Sequence, residues 1–338
     1  MKLVMTLLAR NEADIIDAQI AFHLNAGVDF VIATDNRSLD GTTEILERYE
    51  RAGVLHLLHE QGDDMRQDEW VTRMARLAAT DFGADWVMNA DADEFWWPRG
   101  GTLKQVLQVV PQRFGVVRGC WRHFVPRPGD GGDFAERMTV RLCTAAFPGD
   151  KSTIYHAHQK VAHRADPDVE IERGNHNATG QALEPLRNWH PIEVLHFSIR
   201  SVAQLTGKAA SGWIRGPAEG RSEYQLILDD ALREERIDEF FAERAMSDAQ
   251  VEQGVSNGTH AVDTRLRDAL RVLRLPDGAY RLPDHEPLLT FEDPDIDNAA
   301  AYAAEASVLA SIDGIARAEQ RVAALEARLA GLRRLSRR

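Results

Sequence analysis

Asp85-Trp86-Val87-Met88-Asn89-Ala90-Asp91-Ala92-Asp93-Glu94-Phe95-Trp96-Trp97 is the stretch on which the fold turns. Trp86 to Met88 is a short apolar run that reads as the end of a buried strand. It stops in three carboxylates, Asp91, Asp93 and Glu94, and bulky aromatics follow at once. Carboxylates at i and i+2 of an extended segment point the same way. Hard divalent cations such as Mg2+ or Mn2+ take oxygen ligands of this kind. In an open α/β sheet, ligands bind at the carboxyl ends of the strands. The stretch therefore implies a metal site at a strand end, built to hold a charged ligand such as a diphosphate. A solvated acidic turn that caps the next helix is the plainer alternative.

The chain on the N-terminal side gives this strand its neighbours. Residues 2–8 read as a buried strand, 12–26 as a helix stopped by Gly27, and Val28 to Ala33 as a second strand. A helix over 42–51, a strand from Val54 to Leu58 and a helix over 66–82 follow. Strand and helix in strict alternation is the pattern of a parallel sheet with right-handed crossovers. No Gly-x-Gly-x-x-Gly follows the first strand, which argues against a dehydrogenase-type dinucleotide fold. On the C-terminal side, Thr102 to Val110 reads as a short helix. Phe114 to Trp121 and Arg137 to Thr144 read as strands, separated by a Pro/Gly/Asp-rich loop at 126–133. Helices are expected over 199–213 and 222–246. From about residue 295 the chain is rich in Ala, Glu and Arg. Ala318, Val322, Leu325, Leu329 and Leu332 are spaced 4, 3, 4, 3, a coiled-coil seam or a helix packed on its own domain. The last six residues carry four arginines, a solvated tail or a weak anchor to anionic lipid.

Composition narrows the function. The 338 residues suffice for one large α/β domain with additions, or for two domains. A net charge of -13 argues against a general nucleic-acid binder. Two cysteines, Cys120 and Cys143, cannot build a disulfide framework and fit a reducing cytoplasm. Arg10, Asn11 and Glu12 follow the short apolar start directly, so it reads as a strand and not as a signal peptide. No stretch approaches the roughly 20 apolar residues of a membrane span. The expectation is a cytoplasmic protein with at most peripheral membrane contact.

The second strand runs into Thr34-Asp35-Asn36-Arg37-Ser38-Leu39-Asp40-Gly41-Thr42. This loop resembles the nucleotide-binding loop of family 2 glycosyltransferases. Leu8-Ala9-Arg10-Asn11-Glu12 resembles that family's first strand exit, and Asn89 to Phe95 resembles its Asp-x-Asp metal motif. Three motifs in order, each at a strand end, cover roughly residues 1–100. The resemblance is to the branch with Ala-Arg-Asn-Glu and Asp-Ala-Asp-Glu-Phe. It implies a GT-A fold: an α/β, Rossmann-like, mostly parallel sheet flanked by helices, here with a C-terminal helical extension. It implies a catalytic domain over 1–215, with a nucleotide-binding half (1–100) and an acceptor and metal-completing half (101–215). A helical or irregular extension over 216–294 and an amphipathic helix over 295–338 would follow.

The activity so implied is metal-dependent transfer of a sugar from a nucleotide-diphosphate donor, a UDP-sugar, to a saccharide, lipid-linked or other hydroxyl acceptor, with inversion. Cell-surface polysaccharide assembly is one setting for it. Nucleotide contacts fall to Ala9, Arg10, Asn11, Glu12, Asp35, Arg37, Arg66, Gln67, Asp91 and Ala92. Asp35 would meet the base, and the metal, Mn2+ or Mg2+, would be held by Asp91, Asp93 and His196. Arg10 and Arg37 depart from the family's usual residues, an apolar or Tyr residue and a glycine. Lys160, Trp97 and Lys208 are candidates for acceptor or phosphate. The general base could be Glu193, His176 or Glu94, with Glu193 preferred.

Independent of the resemblance, a strand-end carboxylate can accept the N–H of a pyrimidine ring. A metal can neutralise a departing diphosphate. Asp40 reads as a helix N-cap. His156 and His158 could form a zinc pair, but no third ligand is evident. Two other readings remain: a nucleotidyltransferase, which lacks the glycine-rich loop it needs, and an inactive sugar-nucleotide-binding scaffold that assembles through the C-terminal helix.

Overall fold

The computed structural model describes residues 1–62, 66–129, 132–146, 150, 152–181, 183–210, 223–283, 286–291 and 298–335, without the side chains of 209–210, 298–300 and 329–335. Its first part follows the alternation expected. β1 (Leu3–Ala9), α1 (Ile16–Asn25), β2 (Phe30–Asp35), α2 (Thr42–Arg51), β3 (Leu55–His59), α3 (Gln67–Thr80) and β4 (Trp86–Asp91) succeed one another. β1 pairs in parallel with both β2 and β4, and β2 with β3. β1, β2 and β4 are buried on both faces, which explains their apolar runs, whereas β3 at the sheet edge (Leu-His-Leu-Leu-His) leaves His56, Leu58 and His59 partly or fully exposed.

The acidic motif departs from the extended geometry expected. Ala92 and Asp93 form a turn, and the chain reverses into β5 (Glu94–Pro98). The carboxylates of Asp91 and Asp93 therefore do not follow the strand alternation, because the pleat is broken between them. β5 then lies at the far edge of the sheet. After α4 (Leu103–Gln108), β6 (Val116–His123), α5 (Phe134–Arg137) and β7 (Val140–Leu142), the chain supplies β8 (Gln159–Arg164). The short β9 (Glu170–Ile171) and β10 (Ala178–Thr179) precede β11 (Ile192–His196). The strand order is β3-β2-β1-β4-β8-β6-β11-β5. β8 is antiparallel to β4 and β6, β11 is parallel to β6, and β5 is antiparallel to β11. Parallel pairs thus make up the N-terminal half and recur at β6–β11, and helices flank the sheet, an α/β architecture of the class the sequence implies.

The remainder is helical: α6 (Val202–Ala210), α7 (Glu223–Arg233), α8 (Ile237–Arg244), α9 (Asp248–Ser256), the short β12 (His260–Val262), α10 (Arg265–Leu273) and α11 (Asn298–Leu335). Residues 211–222, which include the end of the helix expected over 199–213 and the start of the one expected over 222–246, lie outside the described residues. Leu266, Leu270 and Leu273 of α10 and Tyr302, Ala306 and Ala310 of α11 join the main core. Of the five seam positions, Ala318, Val322 and Leu325 are exposed. The side chains of Leu329 and Leu332 and residues 336–338 lie outside the described ones. No helix among the described residues is long and apolar enough to cross a membrane.

Candidate active site

Register brings three strand ends to one level. Ala9 stands opposite Asp35, and Leu8 opposite Asp91. A cleft of about 360 Å³ opens there. Ala9, Arg10, Glu12, Asn36, Gln67, Asp91, Ala92, Asp93, Lys160, His176, His196 and Lys208 contribute to its wall. Most of the residues singled out in the sequence are thus brought together.

The loops that frame the cleft are held by short polar contacts. Asp35 accepts from the Ser38 hydroxyl (2.5 Å) and from Thr43 Oγ1 (2.8 Å), so its carboxylate organises the loop while Asn36 faces the cleft. Asn36 Oδ1 accepts from Arg10 (2.9 Å). Arg37, which stands where a glycine was expected, has φ 56°, in the left-handed region that favours glycine. Asn11, at φ 55°, accepts the backbone N–H of Leu39 (2.8 Å). Asp40 is displaced by one position from the cap expected. Gly41, at φ 99°, is the N-cap of α2, and Asp40 accepts from Thr42 N (3.1 Å) and Thr42 Oγ1 (2.6 Å) instead.

Behind the cleft lies a buried charge network. Lys160 binds Asp91 closely and lies 2.9 Å from Glu94. Asp91 also accepts from Asn175 (3.0 Å) and Gln67 (3.3 Å). Lys208 donates to Asp93 (3.0 Å) and faces Glu12 at 3.6 Å. Arg200 binds Glu12 closely and reaches Asp14 at 2.7 Å and Asp93 at 3.8 Å. Five carboxylates meet three cations, so the network keeps an excess of negative charge. Burial alone would raise the Asp93 carboxyl, but Lys208, His196 and Arg200 outweigh it and hold it well below its ordinary value. Burial pushes Glu94 up to about 8, which Lys160 only partly offsets and Asp91 and Asp93 reinforce. Burial also raises Glu12. Lys160 and Lys208 are raised despite burial, by Asp91 and Glu94 in one case and by Asp93 and Glu12 in the other.

Asp93, Glu94 and His196 bring one ligand atom each to within 4.8 Å of one another. The cross-strand register explains this: His196 pairs with Glu94 on one side and with His123 on the other. The tautomers follow from a carbonyl. His123 Nε2 donates to the carbonyl oxygen of His156 (2.9 Å), so its Nδ1 accepts from His196 Nδ1–H (3.1 Å). That leaves the Nε2 lone pair of His196 3.8 Å from Asp93. Burial keeps both rings neutral: His123 falls to about 4 and His196 well below its ordinary value. Two carboxylates, one neutral imidazole nitrogen and residual negative charge suit a divalent cation of the Mn2+ type. Asp91, expected as a third ligand, lines the cleft and is held by Lys160, Asn175 and Gln67, whereas Glu94 is fully buried behind it and is held by Lys160, Trp121 Nε1 and the Asp91 N–H.

The other half of the cleft is aromatic. Trp121 stacks on His196 at 4.4 Å and donates from Nε1 to Glu94 (2.8 Å). His176 stacks on His158 at 3.4 Å, and its pKa falls to about 3 through burial and Lys160. Ile154, Leu205, Tyr224 and Leu228 close this side.

Several residues named from sequence lie elsewhere. Glu193 is tied to Arg122 (2.6 Å) and Arg265 (2.9 Å), outside the cleft wall. Burial would raise its carboxyl, but these guanidinium groups hold it below the ordinary range. Trp97 packs on Phe291 (4.6 Å) and lies under Arg265. Arg66 pairs with Glu69 (2.8 Å) at the surface, and Arg37 is exposed. The sequence reading passed over Arg200, Asp14, His123 and the α6–α7 wall. Arg200 follows His196 by four residues, and nothing local to it points to its partners.

Residues 5–113 match the model of Glycosyltransferase family 92. No curated protein matches the chain. Among solved structures, S. aureus TarS 1-349 in complex with UDP-GlcNAc is 12% identical with TM-score 0.36, over 72% of this chain and 73% of that one. Glucosyl-3-phosphoglycerate synthase from Mycobacterium tuberculosis, in complex with Mn2+, UDP and glucosyl-3-phosphoglycerate, is 20% identical with TM-score 0.23. That overlap covers 40% of this chain and 46% of the other. Overlaps this loose assign neither family nor substrate.

Proposed function

We propose that the protein is a glycosyltransferase that moves a sugar from a nucleoside-diphosphate donor, a UDP-sugar, to a hydroxyl acceptor. The observation that carries this reading is the meeting of three strand ends at one level, with the Asp93–Glu94–His196 donor set beside Lys208. The match of residues 5–113 to a glycosyltransferase family model supports it. The family 2 branch and the inverting outcome rest on the sequence motifs.

The base of the nucleotide lies against Ala9, Arg10, Asn36 and Gln67, with Asp35 fixing the loop behind. Asp93, Glu94 and His196 would hold a divalent cation, which would neutralise charge on the leaving diphosphate. Lys208 adds a fixed positive charge on the same side. The acceptor enters along Trp121 and His176, where an apolar ring face suits a sugar. Of the three general-base candidates, His176 alone lines the cleft. Its imidazole is neutral and can accept a proton, whereas Glu193 is committed to two arginines.

Calorimetric titration of UDP, GDP and CDP with and without Mn2+, on the wild type and on Asp93→Ala, tests this. Tight UDP binding that needs both Mn2+ and Asp93 is the expected result. Absence of nucleotide binding in every condition would sink the reading.

A further inference from the structure

α11 has two halves of different character. The first is fastened to the body. The Tyr302 hydroxyl donates to the carbonyl oxygen of Gly100 and accepts its N–H, each at 2.8 Å. Glu305 takes Arg99 (2.7 Å) and Trp189 Nε1 (2.9 Å), and Arg317 closes on Glu184 (2.8 Å to one oxygen). Beyond Arg317 this ends. Every residue from Ala318 to Arg328 is exposed. A helix that stands in water with no apolar cover is marginal, because packing of one face supplies most helix stability.

The exposed half is not uniformly polar. Val308, Ile315 and Val322 recur every seven residues and are 58%, 62% and 54% exposed. Ala318 and Leu325 fall between them, at the alternate spacing of 3 and 4. This assigns Val308, Ile315 and Val322 to heptad position a, and Ala318 and Leu325 to position d. β-branched residues at a with Leu at d favour two parallel strands. The flanking charges agree. Glu319 and Glu326 fall at position e, Arg321 and Arg328 at position g. A parallel pair sets Arg321 of each chain against Glu326 of the other. An antiparallel pair sets arginine against arginine and glutamate against glutamate. The next g–e pair, Arg328 with Arg333, is like-charged, so the preference is carried by residues 319–328.

We propose that residues 315–328 of α11 pair with the same segment of a second copy of this chain, as a parallel two-stranded coiled coil that yokes two catalytic bodies. The seam is short, so the dimer is reversible and concentration-dependent.

Sedimentation equilibrium of the full chain up to about 100 µM tests this. Dimer mass is expected at the upper end, and monomer for the double variant Val322→Glu with Leu325→Glu. Arg321→Glu alone weakens association by roughly tenfold or more, and so does Glu326→Arg. An equimolar mixture of those two variants regains it, because each then meets an opposite charge. Monomer mass for the wild type throughout overturns the proposal, as does a trimer. Tighter association of Arg321→Glu alone overturns the parallel arrangement, since that change would relieve an arginine–arginine contact. Co-sedimentation of a wild-type monomer with anionic phospholipid vesicles would assign the seam to lipid and overturn pairing.

Discussion

His196 Nδ1 donates its proton to His123 Nδ1 across 3.1 Å, and that single contact aims the other nitrogen of His196 at Asp93. The direction of the donation is set by the carbonyl oxygen of His156, which takes the remaining N–H of His123. The His196 imidazole, proposed above as a ligand, is thus held in one tautomer by a residue that would not itself touch the cation. His123→Phe keeps the ring volume and deletes the acceptor. Mn2+ affinity should fall about 10–100-fold while the unfolding midpoint stays close to wild type. Calorimetry with Mn2+ alone and a urea titration check the two halves.

Glu94 accepts from three donors: Lys160 Nζ at 2.9 Å, Trp121 Nε1 at 2.8 Å and the Asp91 N–H at 3.2 Å. Glu94→Gln turns an amide –NH2 toward one of these donors, so about 1–3 kcal/mol should be lost in urea unfolding, and Mn2+ binding should be lost. Retained Mn2+ affinity in this variant would remove Glu94 from the ligand set.

Lys160 is buried between Asp91 and Glu94. Lys160→Met leaves these carboxylates facing one another with no counter-ion. A loss of about 3–5 kcal/mol is expected in denaturant unfolding, as for any buried pair broken on one side. Lys208→Met should cost less, because Arg200 still faces Asp93 and Glu12.

His23 gives a pH signature away from the cleft. It is fully buried in α1, donates from Nδ1 to Gln19 O (2.8 Å) and accepts the Trp96 N–H at Nε2 (3.0 Å). Burial lowers its pKa from 6.5 to about 4. Between these values the unfolded chain takes up a proton that the fold refuses. The stability tied to neutral His23 is therefore complete above pH 6.5, falls as pH drops toward 4, and is flat below. The slope is about 1.4 kcal/mol per pH unit. Glu94, raised in the fold, contributes the opposite slope between 4.5 and 8. The difference between wild type and His23→Gln isolates the histidine, and urea unfolding at several pH values reads it.

Gly119 of β6 is needed for space. A Cβ there would stand 2.7 Å from Val194 Cγ2 on β11, the strand that carries His196. Gly119→Ala should cost about 1–3 kcal/mol in thermal or chemical unfolding. Adding Val194→Ala, which removes the obstructing methyl, should recover part of the loss.

The N-terminal alternation was legible because parallel strands buried on both faces write themselves as apolar runs with helices between. Asp91 and Asp93 could be picked out because their chemistry is plain and they follow a strand end. β5 was not legible. Phe95, Trp96 and Trp97 suggest a wall, and no local period announces a strand whose partner lies about a hundred residues onward. For the same reason the Glu94–His196 and His196–His123 pairs escaped notice, since register between distant strands is a tertiary property. Arg200 was passed over because its three carboxylate partners, Glu12, Asp14 and Asp93, belong to two separated loops. Glu193 looked like a free base in the sequence, and only the folded chain brings two arginines to it.

The placement of β5 at the outer edge has a consequence for modularity. Residues 5–113 carry the family match, yet within that stretch β4 and β5 are consecutive in the chain and separated in the sheet by β8, β6 and β11. Those three strands are supplied by residues 116–196. A gene fragment that ended near the matched boundary would encode one wall of the groove and an edge strand with nothing to lie beside. The recognisable segment is therefore not a portable cassette. Domain shuffling or truncation at that point would break the molecule, and any recombinant unit must run at least through α6, where Lys208 resides.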